Sequence, residues 1–161
     1  MTTPGEPGVV RPAQPGDVSG LALLDRQVNP SPWTERQFAG ACGEDNGEPE
    51  RALVVASEGQ PQGFVVYSRV LDEVCIHNIA VHPAWQGRGL GRLLLAAALA
   101  AARDAGAMRC HLEVRASNRA ARGLYEQLGF RLDGVRKNYY PTAAGREDAL
   151  LMTRRLAEQE C

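Results

Sequence analysis

Three glycines in five positions, Gly87, Gly89 and Gly91, stand in the stretch HPAWQGRGLGRLLL, between a β-branched run and a long apolar one. Glycine at that spacing lets backbone approach a ligand closely, and a helix starting there presents unbonded N–H groups to it. The pattern is not the dinucleotide fingerprint, because Arg92 occupies the place of the third glycine in G-x-G-x-x-G. Nor does a G-K-[ST] follow for a nucleotide loop. It fits Q-x-x-G-x-G, through Gln86, Gly89 and Gly91. Such a turn could cradle a pyrophosphate on successive amides from Gly87 through Leu90 to Arg92, with the helix's positive end and the charges of Arg88 and Arg92 in support. It could equally be a plain loop with flexible glycines.

Two other residues carry chemistry and have blander readings beside it. Glu113 lies in MRCHLEV, where Cys110, Leu112 and Val114 alternate with Arg109, His111, Glu113 and Arg115. Alternation alone puts the glutamate on a solvated strand face. Tyr125, in SNRAARGLYEQL, shares a helical stripe with Ala121, Leu124 and Leu128, which reads as a core aromatic. Gly123 two residues earlier costs roughly 1 kcal/mol relative to Ala in a helix, which points to a close approach there. His77, His82 and His111 read as surface or satisfied histidines, although His111 shares a strand face with Glu113 and could tune it. Cys42, Cys75, Cys110 and Cys161 are scattered, with no C-x-x-C pair, so neither a metal site nor a disulfide framework is expected.

These groups need elements to position them. A short strand at Val9–Arg11 leads into a helix in GDVSGLALLDRQV, capped at Asp17, with Leu21, Leu24 and Val28 on one face. Thr34 followed by Gln37 is a capping-box pattern, and Trp33 with Phe38 fits a hydrophobic staple, so a second helix starts near Thr34. GEDNGEPE is a solvated loop. RALVVAS and GFVVYSRV form a hairpin, and EVCIHNIAVHP is a third strand stopped by Pro83. A helix from Gly89 to Arg103 ends near Gly106; MRCHLEV is a strand; SNRAARGLYEQL is a helix capped at Ser117 or Asn118 and followed by Gly129. FRLDGVRKNYY and REDALLMTRRL pair through PTAAG. The order implies an α/β (α+β) fold, a mixed, mostly antiparallel sheet of about seven strands with helices on both faces. One domain is expected over residues 9–156, with tails at 1–8 and 157–161.

Composition narrows the function classes. The 161 residues carry a net charge of -1, which provides no global field for phosphate-driven nucleic-acid binding. Neither a secretory signal nor a membrane span is read; the apolar run from Leu93 to Ala102 is too short to cross a bilayer. A cytoplasmic protein is expected.

The glycine turn after NIAV, with LEVRASN and LYEQLGF following at these distances, resembles the GNAT superfamily of acetyl-coenzyme A-dependent N-acetyltransferases. The run LEVRASNRAARGLYEQLGF…RKNYYPTAAGREDALLM is closer still to its bacterial ribosomal-protein alanine N-acetyltransferases. The likeness is densest from Asn78 to Met152 and thinner before, where PWTERQF and VLDE are the anchors. It implies that the turn holds the pyrophosphate of acetyl-CoA. Ile79, Ala80 and Val81 would hydrogen-bond the pantetheine arm like an added strand, and Asn118 would touch it. No metal is implied.

Acetyl transfer from a thioester to an amine requires a neutral amine, a steadied oxyanion and a protonated leaving thiol. An α-amine has a pKa of about 8, so a modest base suffices. By the resemblance Glu113 is that base and Tyr125 the acid, while a backbone N–H near Val81 meets the oxyanion. A thiol pKa near 8.5 lies below tyrosine's 10, so a strong hydrogen bond describes the acid's role better than full proton transfer. Trp33, Tyr139 and Tyr140 would wall the acceptor, although packing explains each ring as well. The implied acceptor is the N-terminal peptide of a ribosomal protein, the alanine of small-subunit protein eighteen. A small-amine acetyltransferase and a non-catalytic acyl-CoA-binding regulator are the competing readings.

Overall fold

The computed structural model describes residues 8–43 and 49–156. Its strands are β1 (Val10–Pro12), β2 (Glu50–Ser57), β3 (Gln60–Val70), β4 (Glu73–Val81), β5 (Arg109–Arg115), β6 (Arg131–Thr142) and β7 (Gly145–Arg155). They form one seven-stranded sheet in the order β1-β2-β3-β4-β5-β7-β6. Every neighbouring pair is antiparallel except β4 with β5. A parallel pair needs a long crossover, which α3 (Leu90–Asp104) supplies.

The β-branched runs of β2 and β3 bury both faces, which identifies central strands. Val54, Phe64 and Val66 face α1 (Val18–Val28) and α2 (Glu35–Ala39), packing with Leu21, Leu24 and Phe38. Val55 and Val65 face the other way, into a core with Leu94, Leu95 and Leu99 of α3 and Tyr125 of α4 (Arg119–Gln127). Each large apolar side chain buried in these two cores stabilises the fold by roughly 1.5–3 kcal/mol relative to exposure.

Local signals hold at several boundaries. Thr34 accepts from Gln37 N while the Gln37 side chain accepts from Thr34 N, and Trp33 meets Phe38 with ring centroids 5.3 Å apart. Asn118, not Ser117, caps α4 by accepting from Ala121 N. Asp17 differs from expectation. It sits at the start of α1 but makes no cap bond to it, because its carboxylate is taken by Arg11 and by Gln14 N of the preceding turn. Gly8 already packs against the sheet edge, donating to Gln62 Oε1 at 2.9 Å. Residues 1–7 of the expected 1–8 tail, the expected tail at 157–161, and residues 44–48 of the expected loop lie outside the described residues. No helix among the described residues is long and apolar enough to cross a membrane.

The sheet splits along its one parallel seam. β4 and β5 pair only from Glu73↔Arg109 to Ile76↔Leu112. Beyond that, β4 follows β3 through Asn78–Val81, while β5 follows β7 through Glu113–Arg115. A register shift opposite Val66/Tyr67 leaves His77 as the extra residue where the strands part.

Candidate active site

The parting strands open a cleft of about 480 Å³ through the sheet. One side is made by β4 (Ile76 to Ile79), the other by β5 from Leu112 to Arg115; Val28, Asn29, Pro30, Ser31 and Trp33 close one end, and Ser117, Asn118 and Tyr125 the other. Tyr140 reaches in from β6. Glu113, Tyr125, Asn118, Trp33, Tyr140 and Ile79, expected from sequence at a common site, therefore line one opening. A second groove, of about 400 Å³, shares Ile76, His77, Leu112, Glu113 and Tyr140 with it and continues across the sheet toward Asp133 and Arg136.

The glycine turn sits where β4 feeds α3, and each glycine has its own reason. Gly87 (φ 80) and Gly89 (φ 83) adopt the left-handed conformation that side chains resist. Gly91 is different. A Cβ there would come within 3.3 Å of Leu124 Cδ2, so this glycine lets α3 approach α4. Leu93 N is the first amide bonded within the helix, to Gly89 O, so the N–H groups of Leu90, Gly91 and Arg92 point outward without an intrahelical acceptor. That arrangement suits a diphosphate. Gln86 folds the turn back on the strand, its Nε2 donating to Val81 O at 3.0 Å.

The two arginines of the turn each make a contact within the chain. Arg88 lies over the Trp85 ring, 5.0 Å from its centroid. Arg92 donates to Gln127 Oε1 on α4. Along β4, Asn78–Val81 pair with β3 on one side only. In an antiparallel ladder alternate residues turn their N–H and C=O away from the partner, so part of the Ile79–Val81 backbone faces the cleft. The Val81 carbonyl already accepts from Gln86, and Ala80's side chain is buried.

Glu113 is half-buried and does not simply face solvent as its alternation suggests: Arg136 on β6 holds its carboxylate at 3.0 Å. Tyr140 is fixed between groups of both signs. The Arg115 guanidinium lies 4.3 Å from its ring centroid. Burial raises the Tyr140 phenol above its ordinary value, and the neighbouring Glu113 carboxylate adds to the shift. Glu147 ties this wall together, accepting from Ser117 N at 3.0 Å and Arg115 Nη1 at 3.2 Å. The Ser117 side chain first, then the Ser117 amide and Arg115, hold the Glu147 carboxyl below the usual range.

Tyr125 is 5% exposed, packed against Phe130 at 5.9 Å. Burial, with Tyr140 nearby, pushes its phenol up to about 12. It stays protonated at neutral pH and can donate. A Cβ at Gly123 would meet no other atom of the chain within 4 Å. Tyr139 departs from its neighbour. Adjacent strand residues face opposite ways, and Tyr139 turns outward, 45% exposed, while only Tyr140 lines the cleft.

The histidines are all engaged. His77 Nε2 meets Ser68 Oγ at 2.7 Å, and burial lowers its pKa, opposed by Glu50, so the ring is neutral at pH 7. His82 Nδ1 accepts from Ala84 N. His111 bridges Glu73 and Thr153, not Glu113. Among the described residues no group of three or more His, Cys, Asp or Glu is arranged to hold a metal.

Sequence reasoning missed Arg136, whose place beside Glu113 depends on the β6–β7 register. It also missed Asp25, although a signal was present: an acidic residue in the apolar stripe Leu21, Leu24, Val28 of α1. Asp25 is fully buried.

Comparison with known proteins agrees with this geometry. The acetyltransferase (GNAT) family matches residues 20–130. The [ribosomal protein bS18]-alanine N-acetyltransferase of Salmonella typhimurium is 42% identical over 136 residues, 84% of this chain and 89% of that protein. The crystal structure of the ribosomal-protein-S18-alanine N-acetyltransferase from Escherichia coli superposes with a TM-score of 0.85 at 36% identity, covering 94% of this chain and 96% of that one. Arabidopsis thaliana NAA60, solved in complex with acetyl-CoA, shares the fold at 18% identity, with a TM-score of 0.79 over 92% of this chain and 98% of that one. With the family match over residues 20–130 and relatives of this closeness, the chain belongs to the GNAT family and is an acetyl-CoA-dependent N-acetyltransferase.

Proposed function

We propose that this enzyme acetylates the N-terminal α-amine of a ribosomal protein, the alanine of small-subunit protein eighteen, by direct transfer with Glu113 as general base and Tyr125 as general acid. The observation that carries the acceptor is the 42% identity, over 84% of the chain, to a relative named for that reaction. The observation that supports the mechanism is that Glu113 and Tyr125 line one cleft from opposite elements, β5 and α4.

Acetyl-CoA supplies an activated acyl group and a thiol leaving group. The chain's residues do the rest. Amides of the turn at Gly87–Arg92, with Arg88 and Arg92 beside them, hold the diphosphate, and the exposed edge of β4 at Ile79–Val81 orients the pantetheine arm. Asn118, already fixed as the cap of α4, borders that arm. Glu113 takes a proton from the incoming ammonium, directly or through one water, which gives the amine its lone pair. An N–H near Val81 stabilises charge on the carbonyl oxygen. The Tyr125 phenol, with its pKa about 12, donates a hydrogen bond to the departing sulfur. Trp33 and Tyr140 form opposite walls around the acceptor; Tyr139 rigidifies the hairpin through its T-shaped contact with Tyr140, 5.1 Å between centroids.

The test is thiol release from acetyl-CoA with a peptide beginning in alanine, set against the same peptide blocked at its amine and a panel of small amines, with mass spectrometry locating the acetyl group. Transfer to the alanine α-amine is expected. Turnover only with small amines would remove the peptide acceptor, and coenzyme binding without release would remove the catalytic roles of both residues.

A further inference from the structure

The wall formed by residues 29–33 has no regular secondary structure, yet it closes the end of the cleft opposite Tyr125. Few bonds hold such a segment in place, and those it makes converge on one side chain. Asp25 Oδ2 accepts from Trp33 N at 2.8 Å and from Asn78 Nδ2 at 2.8 Å. Its Oδ1 accepts from Asn29 Nδ2. Asn29 Nδ2 also reaches Asn78 Oδ1 at 3.1 Å, and Asn29 N donates to the Asp25 backbone carbonyl. One residue thus holds both ends of the segment and joins it to β4 at the point where β4 leaves β5.

The chemistry of the set explains why the residue is an aspartate. Its two carboxyl oxygens offer enough acceptor positions to take all three amide donors at once. No cation pairs with it among the described residues. A buried carboxylate without a counter-ion is tolerated only while every donor stays in place, which makes the arrangement all-or-none. Asp25 itself does not line the cleft, so it acts through Asn29, Trp33 and Asn78, which do.

We infer that Asp25 is the positioning residue of the acceptor wall, clamping residues 29–33 onto Asn78 so that the cleft keeps its shape for the incoming amine. This rests on the reading that the cleft receives the acceptor.

The full chain is compared with Asp25→Asn and with the exchanged pair Asp25→Asn/Asn78→Asp. The single change sets an amide N–H against other donors. The exchange returns an acceptor to the set, with Asn at 25 accepting from Trp33 N and donating to Asp at 78. For Asp25→Asn, the alanine-peptide KM should rise about tenfold or more, with the acetyl-CoA KM within about twofold of the parent. Amide hydrogen exchange at 29–33 should quicken by about tenfold while α3 is unchanged. The exchanged pair should restore amide exchange at 29–33 to within about threefold of the parent. Unchanged exchange at 29–33, or a parallel rise of both KM values, would overturn the inference. If Asp25→Asn does not fold, the exchanged pair decides: folding with parental amide exchange at 29–33 supports the clamp, and failure to fold makes Asp25 a general folding residue and overturns it. A parent chain that ignores the alanine peptide would count against the proposed acceptor, while the exchange experiment still reads the clamp without any acceptor.

Discussion

The mouth of the turn where α3 begins is made of backbone: left-handed Gly87 and Gly89, the outward amides of Leu90 to Arg92, and the strand edge of β4 that leads into them. The cleft is made of side chains drawn from distant parts of the chain: Trp33 from the segment between α1 and α2, Asn78 from β4, Glu113 from β5 and Tyr140 from β6 line it, with Asp25 of α1 and Arg136 of β6 bonded to them from outside. The first can hold one common ligand with little dependence on side-chain identity. The second is where specificity can change while the fold and coenzyme grip persist.

That contrast makes graded predictions. The largest effect belongs to Glu113. Glu113→Gln should lower kcat/KM by roughly 100–1000-fold near pH 7, the deficit narrowing toward pH 9 as the amine loses its proton unaided. A pH-independent deficit in a rate profile would remove its role as base. Tyr125→Phe should slow kcat by roughly 10–100-fold while coenzyme affinity, measured by calorimetry, stays within about twofold. Equal loss of affinity would make Tyr125 part of the coenzyme wall instead.

On the backbone side, Gly89→Val forces a branched side chain into φ 83 and should weaken acetyl-CoA binding about tenfold. Its peptide KM should barely move. Stability should fall in alkali. The Tyr125 phenol is raised from 10.0 and the Cys110 thiol from 9.0, both to about 12 by burial, so the unfolded chain ionises first. Their contribution is complete below about pH 9 and is lost as pH climbs toward 12. Thermal melts from pH 8 to 11 should show Tm dropping by several degrees, and a flat profile would contradict the burial. The smallest effect is expected for Arg92→Ala. On the proposal that amides carry the grip, and with Arg92 partly occupied by Gln127, affinity should weaken only about twofold to threefold. A tenfold loss would mean that side-chain charge, not backbone, builds that mouth.

Legibility in the sequence follows the same division. The glycine turn, the Thr34–Gln37 capping box, the buried runs of β2 and β3 and the cap at Asn118 are local patterns, and each appears in the structure near its expected place. Glu113 shows the opposite case. Strand alternation assigned it a polar face correctly but could not show that the face is the wall of a cleft, because that follows from where β4 and β5 stop pairing. Gly91 was legible as unusual, but its contact with Leu124 was not, since that neighbour is distant in the chain. Tyr139 and Tyr140 look alike as a tandem pair, and only the strand's two faces separate them.

The linear chain therefore carries everything set by bonds within a few residues: element types, their caps, the left-handed glycines and the amides they aim outward. Folding was needed to bring Asp25 to Trp33 and Asn78, to set Arg136 against Glu113, and to place Tyr125 in a cleft shared by both walls. The difference is one of range. A hydrogen bond or a rotamer preference acts over a few ångströms, and only the register of seven strands brings residues far apart in the chain within that distance.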